Sequence, residues 1–411
     1  MIARLQRGLP LTDRTAKFLT SDIAGTGGIV KETVEDFLVE EIPSYLPSGE
    51  GEHCYALIEK RGIATLEALR RIAKTLGVQE RDLGYAGMKD AIGITRQTIS
   101  IPRVAPEKVE AMQIPGIKVL SARRHGNKLR LGHLKGNRFR IRVRSVVPNA
   151  AQLAAQALAV LEARGVPNFF GEQRYGVQGN SHRIGGAVLR GDYKAAIDAL
   201  IGEPGAVSDE RWRQAIEAYR RGELSESLSL FPGQFRVERD VIARLISRPD
   251  AFDKAFHAVP PRLKRLYLSA FQSALFDRVV EHRLDTLGEV STGDIAFKHE
   301  NGACFLVQDA AAEAPRAQAF EISPTGPMFG CTMMEPSGAQ LVLERELLAG
   351  EGLTLESFNL SGGLKMEGER RPLRVPVKDV EVEQDGADLL LAFSLPRGSY
   401  ATTVLREIIK V

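Results

Sequence analysis

The segment 84–97 carries the residues of this chain whose types and spacing best suit chemistry. Two glycines, Gly84 and Gly87, allow the backbone to turn tightly. They lead to the adjacent residues Lys89 and Asp90, and an apolar, β-branched run follows. An aspartate beside a cation keeps its charge, because an opposite charge a few ångströms away lowers its pKa by roughly 1–3 units. The segment therefore predicts a carboxylate that acts as a nucleophile or a base, or else a solvated residue of a turn.

A second segment with recognition chemistry covers residues 168–176. The adjacent aromatic residues Phe169 and Phe170 are followed closely by Gln173 and Arg174. Nucleobases stack on aromatic rings with about 1–3 kcal/mol each, and amide groups can read the edge of a base. The pattern predicts that one ring packs in the core, and it leaves open whether the other ring meets a ligand.

Residues 123–144 include nine Lys or Arg residues and no Asp or Glu. Over 138–144, Arg alternates with Phe, Ile and Val, which is the period-two pattern of a half-buried strand. The apolar residues would face a core and the arginines would share the outer face. Because like charges in a row repel one another, the pattern predicts that a polyphosphate lies across Arg138, Arg140 and their neighbours. A merely solvated basic strand is the alternative.

Length and composition restrict the class of protein. A chain of 411 residues favours two domains, and 44% hydrophobic with 26% charged residues is typical of a soluble globular protein. No stretch approaches the roughly 20 apolar residues that span a bilayer, and the N-terminus shows no secretory signal. Three widely spaced cysteines and seven scattered histidines predict a cytoplasmic protein without a disulfide framework or a metal site.

Hydrophobic periodicity predicts the elements that must position these residues. The first half mixes strands with helices, which favours an α+β domain with a mainly antiparallel sheet and helices on one face. Beyond Arg183 long helical patterns dominate, so we expect a helical insertion in the first domain, completed by the C-terminus. The predicted strands are 35–42, 54–59, 373–382 and 388–395, and the predicted helices are 66–76, 149–165, 192–218, 262–284 and one that starts near Ser399.

Taken together and in order, these motifs resemble those of the TruD family of tRNA pseudouridine synthases. The resemblance spans nearly the whole chain, and no position expected to be catalytic departs from it. The matching elements are Lys31, 35–41, 49–53, 86–90 with Thr95 and Gln97, 128–132, 135–137, 168–176, 270–276, 324–327 and 395–402.

The resemblance implies a catalytic domain with a central, mainly antiparallel sheet flanked by helices, and a largely helical inserted domain. It places the first part of the catalytic domain at 1–178, the insertion at 179–370 and the C-terminal strand and helix of the catalytic domain at 371–411. It also implies that uridine 13 of tRNA is isomerised to pseudouridine, with tRNA as the partner of a monomeric, cytoplasmic enzyme.

The family's site residues map onto this chain by motif. The catalytic aspartate maps onto Asp90 and the active-site lysine onto Lys31. The family's active-site Asn and Phe map onto Asn168 and Phe170, and Phe37 matches an aromatic position of a family element. The residue patterns described above add Lys89, Gln173, Arg174, Arg138 and Arg140 to the predicted substrate-binding residues.

The implied reaction suits these residues. It breaks the N1–C1′ bond, turns the uracil and joins C5 to C1′ without net redox change, so we expect no cofactor and no metal. An aspartate can attack C1′, add to the base or deprotonate C2′. Two alternatives remain: a non-catalytic RNA-binding protein on the same scaffold, and a carboxylate-dependent hydrolase with Glu172 as its second acidic group.

Overall fold

The computed structural model describes residues 17–89 and 91–410, which pack as two compact units. The first unit consists of Phe18–Val166 and Val375–Val411, and the second is built from Pro167–Arg374. The predicted boundaries at 178 and 370 differ from these, because residues 167–178 and 371–374 pack with the second unit. The assignment of a catalytic and an insertion domain stays a prediction.

The elements up to residue 167 follow the predicted pattern. The predicted helix 66–76 ends at Gly77, which takes a left-handed φ of 71° and closes the last turn. The elements are β1 (Ile29–Val30), β2 (Phe37–Pro43), β3 (His53–Arg61), α1 (Thr65–Leu76), β4 (Gly84–Tyr85), β5 (Ile94–Pro102), α2 (Pro106–Glu110), β6 (Ile117–His125), β7 (Leu134–Arg144), α3 (Ala150–Arg164) and β8 (Val166–Pro167).

The middle of the chain is mainly helical. The predicted single helix 192–218 is wrong, because Gly202 and Pro204 interrupt it and Asp209 caps a new helix by accepting from the Trp212 N–H. The elements are α4 (Ser181–Leu189), α5 (Tyr193–Ile201), α6 (Glu210–Arg220), α7 (Leu224–Leu230), α8 (Arg236–Ser247), α9 (Phe252–Phe256), α10 (Pro261–His282), β9 (Ile295–Lys298), β10 (Cys304–Leu306), α11 (Ala310–Gln318), β11 (Ile322–Met328), α12 (Gly338–Gly350) and β12 (Glu369–Pro372).

The last part of the chain completes the first unit. The predicted strand 373–382 is two strands, because Pro376 has no N–H to continue a ladder. The elements are β13 (Arg374–Val375), β14 (Lys378–Asp385), β15 (Asp388–Pro396) and α13 (Ala401–Ile409).

A mainly antiparallel sheet organises the first unit, as predicted. Its strand order is β14-β15-β7-β2-β5-β3-β6, with β1 added to β7 and β4 to β5. Only the β2–β5 pair is parallel among these neighbours. Leu69 and Ile72 of α1 pack with Ile58 and Ile99 of the sheet. Helix α3 contacts both β14 and α13.

The second unit contains a sheet that sequence patterns missed. Four antiparallel strands lie in the order β10-β9-β11-β12. Strand β11 contains Pro324, Gly326 and Pro327, residue types that are depleted in strands, and this composition hid it. The remaining core gathers around α10, where Leu268, Leu275 and neighbouring apolar residues are buried. Among the described helices, none combines the length and apolar character that a membrane crossing requires.

Candidate active site

The segment from Gly84 to Gly93 contains the predicted catalytic position. Asp90 lies outside the described residues. Beside it, the side chains of Met88 and Ile92 are exposed. A Cβ on Gly84 would lie 2.2 Å from the carbonyl oxygen of Leu129, and one on Gly93 would lie 2.4 Å from that of Phe37. Both ends of the segment therefore need glycine for a close backbone contact within the protein.

Lys89 turns away from solvent into a buried polar network. Its Nζ lies 3.1 Å from Oε2 of Glu41, and the two side chains are only 6% and 2% exposed. The same Nζ donates to Oδ1 of Asn137 at 2.8 Å. The Lys89 backbone N–H donates to Oγ1 of Thr65, whose hydroxyl in turn donates to Oε1 of Gln97 at 3.0 Å. The network thus holds the residue immediately before Asp90 by its backbone and its side chain.

The burial of this ion pair has an electrostatic consequence. Burial raises the pKa of the Glu41 carboxyl, while the nearby charge of Lys89 opposes that rise. An ammonium in such a place needs its carboxylate, because an unpaired buried charge is strongly unfavourable. The geometry favours an anchoring role for Lys89 over the predicted contact with substrate.

Lys31 and Phe37, both predicted site residues, are in contact. Lys31 follows β1 with a left-handed φ of 59°, a conformation that costs a residue with a Cβ about 1–2 kcal/mol. This backbone conformation accompanies a cation–π contact, with Nζ 4.3 Å from the centroid of the Phe37 ring. Phe37 is 4% exposed and meets Phe139 edge-to-face at 6.2 Å. Its ring therefore packs in the core, and little of it is left for the predicted substrate contact.

The arginine stripe of β7, residues 138–144, has the predicted alternation but a different electrostatic environment. Its apolar residues are buried and its arginines are at least partly exposed, as predicted. Arg138 pairs with Glu381 at 2.8 Å, and Arg142 pairs with Asp385 at 2.8 Å. Carboxylates of β14, which lies two strands from β7 in the sheet, therefore pair with two of the four arginines of the stripe.

Arg144, at the C-terminal end of the stripe, forms the closest ion pair of the stripe. The Arg144 guanidinium binds both carboxylate oxygens of Asp36, at 2.7 and 2.9 Å. Burial by itself raises the pKa of Asp36, but hydrogen bonds from Arg144 and the Thr33 N–H outweigh it and hold that pKa below its ordinary value. Arg140 is exposed, and in the described part of the chain it has no carboxylate partner. Substrate binding by Arg138 and Arg140 stays a prediction.

One ring of the aromatic pair packs in the core, as predicted, and the other is partly open. Phe169 is 5% exposed and belongs to the core. Phe170 is half-buried and meets Phe276 edge-to-face at 5.8 Å. The guanidinium of Arg371 lies 4.4 Å from the Phe170 centroid and that of Arg174 lies 5.3 Å from it. A partly open ring held by two cations suits stacking on a planar group.

Asn168 is tied to the same cluster. It is 4% exposed, and its Nδ2 donates to the carbonyl oxygen of Pro372 at 2.8 Å. Its Oδ1 accepts from Nη2 of Arg371 at 2.6 Å. Asn168 therefore orients Arg371 over the Phe170 ring.

Asp277 fixes the loop that follows. One of its carboxylate oxygens accepts from the Phe170 N–H at 2.9 Å, and the other accepts from the Tyr175 hydroxyl at 2.5 Å. Arg174 donates from Nε to Oγ of Ser273 at 2.9 Å, whereas Gln173 is exposed. The predicted recognition loop is thus positioned from α10.

Sequence reasoning did not single out four residues that contact the predicted site residues: Glu41, Asn137, Asp277 and Arg371. Glu41 and Asn137 stand within recognised motifs, and Asp277 directly follows the motif 270–276, so proximity to a motif was the available signal. Arg371 lies outside every motif.

Comparison with known proteins identifies the chain. The family tRNA pseudouridine synthase D (TruD) matches residues 15–408. The chain belongs to this family. A protein of Geobacter sp. (strain M21) named tRNA pseudouridine synthase D is 74% identical over 393 residues, covering 96% of this chain and 99% of that relative. The namesake in Geotalea daltonii is 68% identical with the same coverage.

A solved structure supports the same TruD assignment. The crystal structure of a Methanosarcina mazei protein that carries the TruD name matches with a TM-score of 0.83 and 29% identity over 96% of each chain. This match confirms the predicted fold class. Membership of the TruD family makes the protein an enzyme, a pseudouridine synthase. Within residues 17–89 and 91–410, no group of three or more His, Cys, Asp or Glu side chains is placed to hold a metal ion.

Proposed function

We propose that the protein isomerises uridine 13 of tRNA to pseudouridine and that Asp90 is its catalytic carboxylate. The observation that carries the proposal is the buried Lys89–Glu41 pair, with its ammonium and carboxylate 3.1 Å apart. It restrains the residue before Asp90, and catalysis requires such positioning of the reactive group. The relatives' name, tRNA pseudouridine synthase D, supports tRNA as the substrate.

The residues have distinct roles in the proposed reaction. Asp90 acts at the ribose or the base, as a nucleophile or as a base, while the N1–C1′ bond breaks and the C5–C1′ bond forms. Lys31 supplies a cation that favours the ionised carboxylate. The reaction has no net redox change, so it requires no redox cofactor.

The loop 168–176 carries the proposed contacts to the base. A target uridine must leave its stack before an enzyme can act on it. Phe170 offers a half-buried ring for the extruded uracil, and Asn168 keeps the Arg371 guanidinium in place at that ring. We propose Gln173 and Arg174 as further substrate contacts on the same loop, and a monomeric enzyme in the cytoplasm.

Mapping of pseudouridine in a tRNA transcript tests the proposal. The purified protein should convert uridine 13 stoichiometrically, and a transcript with cytidine at position 13 should gain no pseudouridine there. Conversion elsewhere in the first transcript would overturn the assignment of position 13. Release of free uracil would favour the hydrolase, and binding without any product would favour a non-catalytic RNA-binding protein.

A further inference from the structure

The end of β6, the turn that follows it and the start of β7 form a second basic region, which we call the basic arm and define as residues 123–135. It contains five Lys or Arg residues and no Asp or Glu. Arg123, Arg130 and Lys135 are exposed. Within the residues that the structure describes, none of these three forms an ion pair with a carboxylate. Their charges are therefore available to an external anion.

The basic arm lies against the segment that carries the catalytic position. The Gly132 N–H donates to the carbonyl oxygen of Ala86 at 2.8 Å. Leu129 and Leu134 of the arm are buried in one cluster with Ala86. Since Ala86 is four residues before Asp90, a polymer bound at the arm passes close to the catalytic segment.

The arm is held in place before any ligand binds. The Tyr45 hydroxyl lies 2.8 Å from Nδ1 of His133, and the Tyr45 ring stacks on His125 with centroids 5.2 Å apart. Arg397 donates from Nη1 to the carbonyl oxygen of Gly132 at 2.7 Å. An ordered arm loses little conformational entropy when a ligand binds, which favours affinity.

We propose that the basic arm binds the sugar–phosphate backbone of the RNA beside the target uridine. Clustered cations without carboxylate partners repel one another, and a polyphosphate relieves that repulsion. Contacts to phosphate position an RNA without reading its sequence. The inference rests on the proposed function, because it takes RNA as the substrate.

A triple variant, Arg123→Gln with Arg130→Gln and Lys135→Gln, tests the arm. Each lost phosphate contact lowers the slope of log affinity against log salt by about 0.7–0.9, so the triple variant should lose about 2–3 units of slope. A fourfold rise in salt should then weaken tRNA binding by the wild type about 20- to 40-fold more than binding by the variant. Fluorescence anisotropy with labelled tRNA measures both quantities.

A charge-matched control separates position from net charge. Arg70, Lys74 and Lys108 lie on α1 and α2 of the same unit, and changing all three to Gln removes the same charge. This control should keep the wild-type slope, and the arm variant should keep the wild-type unfolding temperature because its residues are exposed. An arm variant with the wild-type slope, or a control with an equal loss, overturns the inference.

A different result would contradict the proposed function. A wild-type protein that forms no pseudouridine in tRNA contradicts the proposed function whatever the arm does. A wild type that forms pseudouridine beside an arm variant with unchanged affinity contradicts only the arm.

Discussion

The arginine stripe of β7 and the basic arm lie close together in sequence and both lack acidic residues, yet their charges have different partners. In the stripe, Arg138 and Arg142 each bind a carboxylate at 2.8 Å. In the arm, Arg130 and Lys135 are exposed and form no ion pair with a described carboxylate. From this difference we expect the strongest RNA contacts where the fold leaves a basic run without acidic neighbours.

The acidic neighbours could not be found from the local sequence. Glu381 is 243 residues from Arg138, and the sheet brings them together through the pairing of β15 with β7 and of β14 with β15. A period-two pattern reports which face a side chain occupies and contains no information about the strand placed beside it. The pattern therefore predicted the exposed face correctly and could not show the acidic side chains that lie beside it.

Loss of the carboxylate that pairs with the buried Lys89 ammonium should show the largest effect on stability. Glu41→Gln leaves the Lys89 ammonium buried without its carboxylate, which should lower the free energy of unfolding by about 3–5 kcal/mol. Adding Lys89→Met should recover much of that loss, since an apolar replacement of a buried ion pair is often close to neutral. Urea denaturation of the single and double variants measures both changes.

An exposed pair provides the matched control for this prediction. Glu67 pairs with Arg70 and Arg71 on the surface of α1, so Glu67→Gln makes the same chemical change in water. It should change stability far less than Glu41→Gln. Equal effects at the two glutamates would show that the Lys89–Glu41 pair does not anchor the catalytic segment.

Sequence patterns predicted the features that local interactions determine and missed those that depend on tertiary contacts. The helix that ends at Gly77 and the burial of one ring of the pair Phe169–Phe170 were predicted because local periodicity and local residue types determine them. Strand β11 was missed because its partners, rather than its prolines and glycine, make it a strand. The partners of Lys89 were missed for the same reason, since Glu41 and Asn137 reach it through tertiary contacts.

Two single substitutions, one in the arm and one in the stripe, should give the smallest measurable difference between these two regions. Arg130→Gln in the arm should lower the salt slope of tRNA binding by about 0.7–0.9, whereas Arg142→Gln in the stripe should leave it unchanged. The reason is that Arg142 already has Asp385 and Asp388 as partners. Equal slopes for the two variants would contradict the distinction between stripe and arm.

Single-turnover pseudouridine formation by Asp90→Asn tests the central claim most directly. The amide nearly matches the carboxylate in shape but can neither attack the ribose nor accept a proton, so the variant should bind tRNA with near-wild-type affinity and form no pseudouridine. Asp82→Asn, the same change in the nearby turn Glu80–Asp82, should react at the wild-type rate. A folded Asp90→Asn enzyme that converts tRNA at the wild-type single-turnover rate would remove Asp90 from the mechanism.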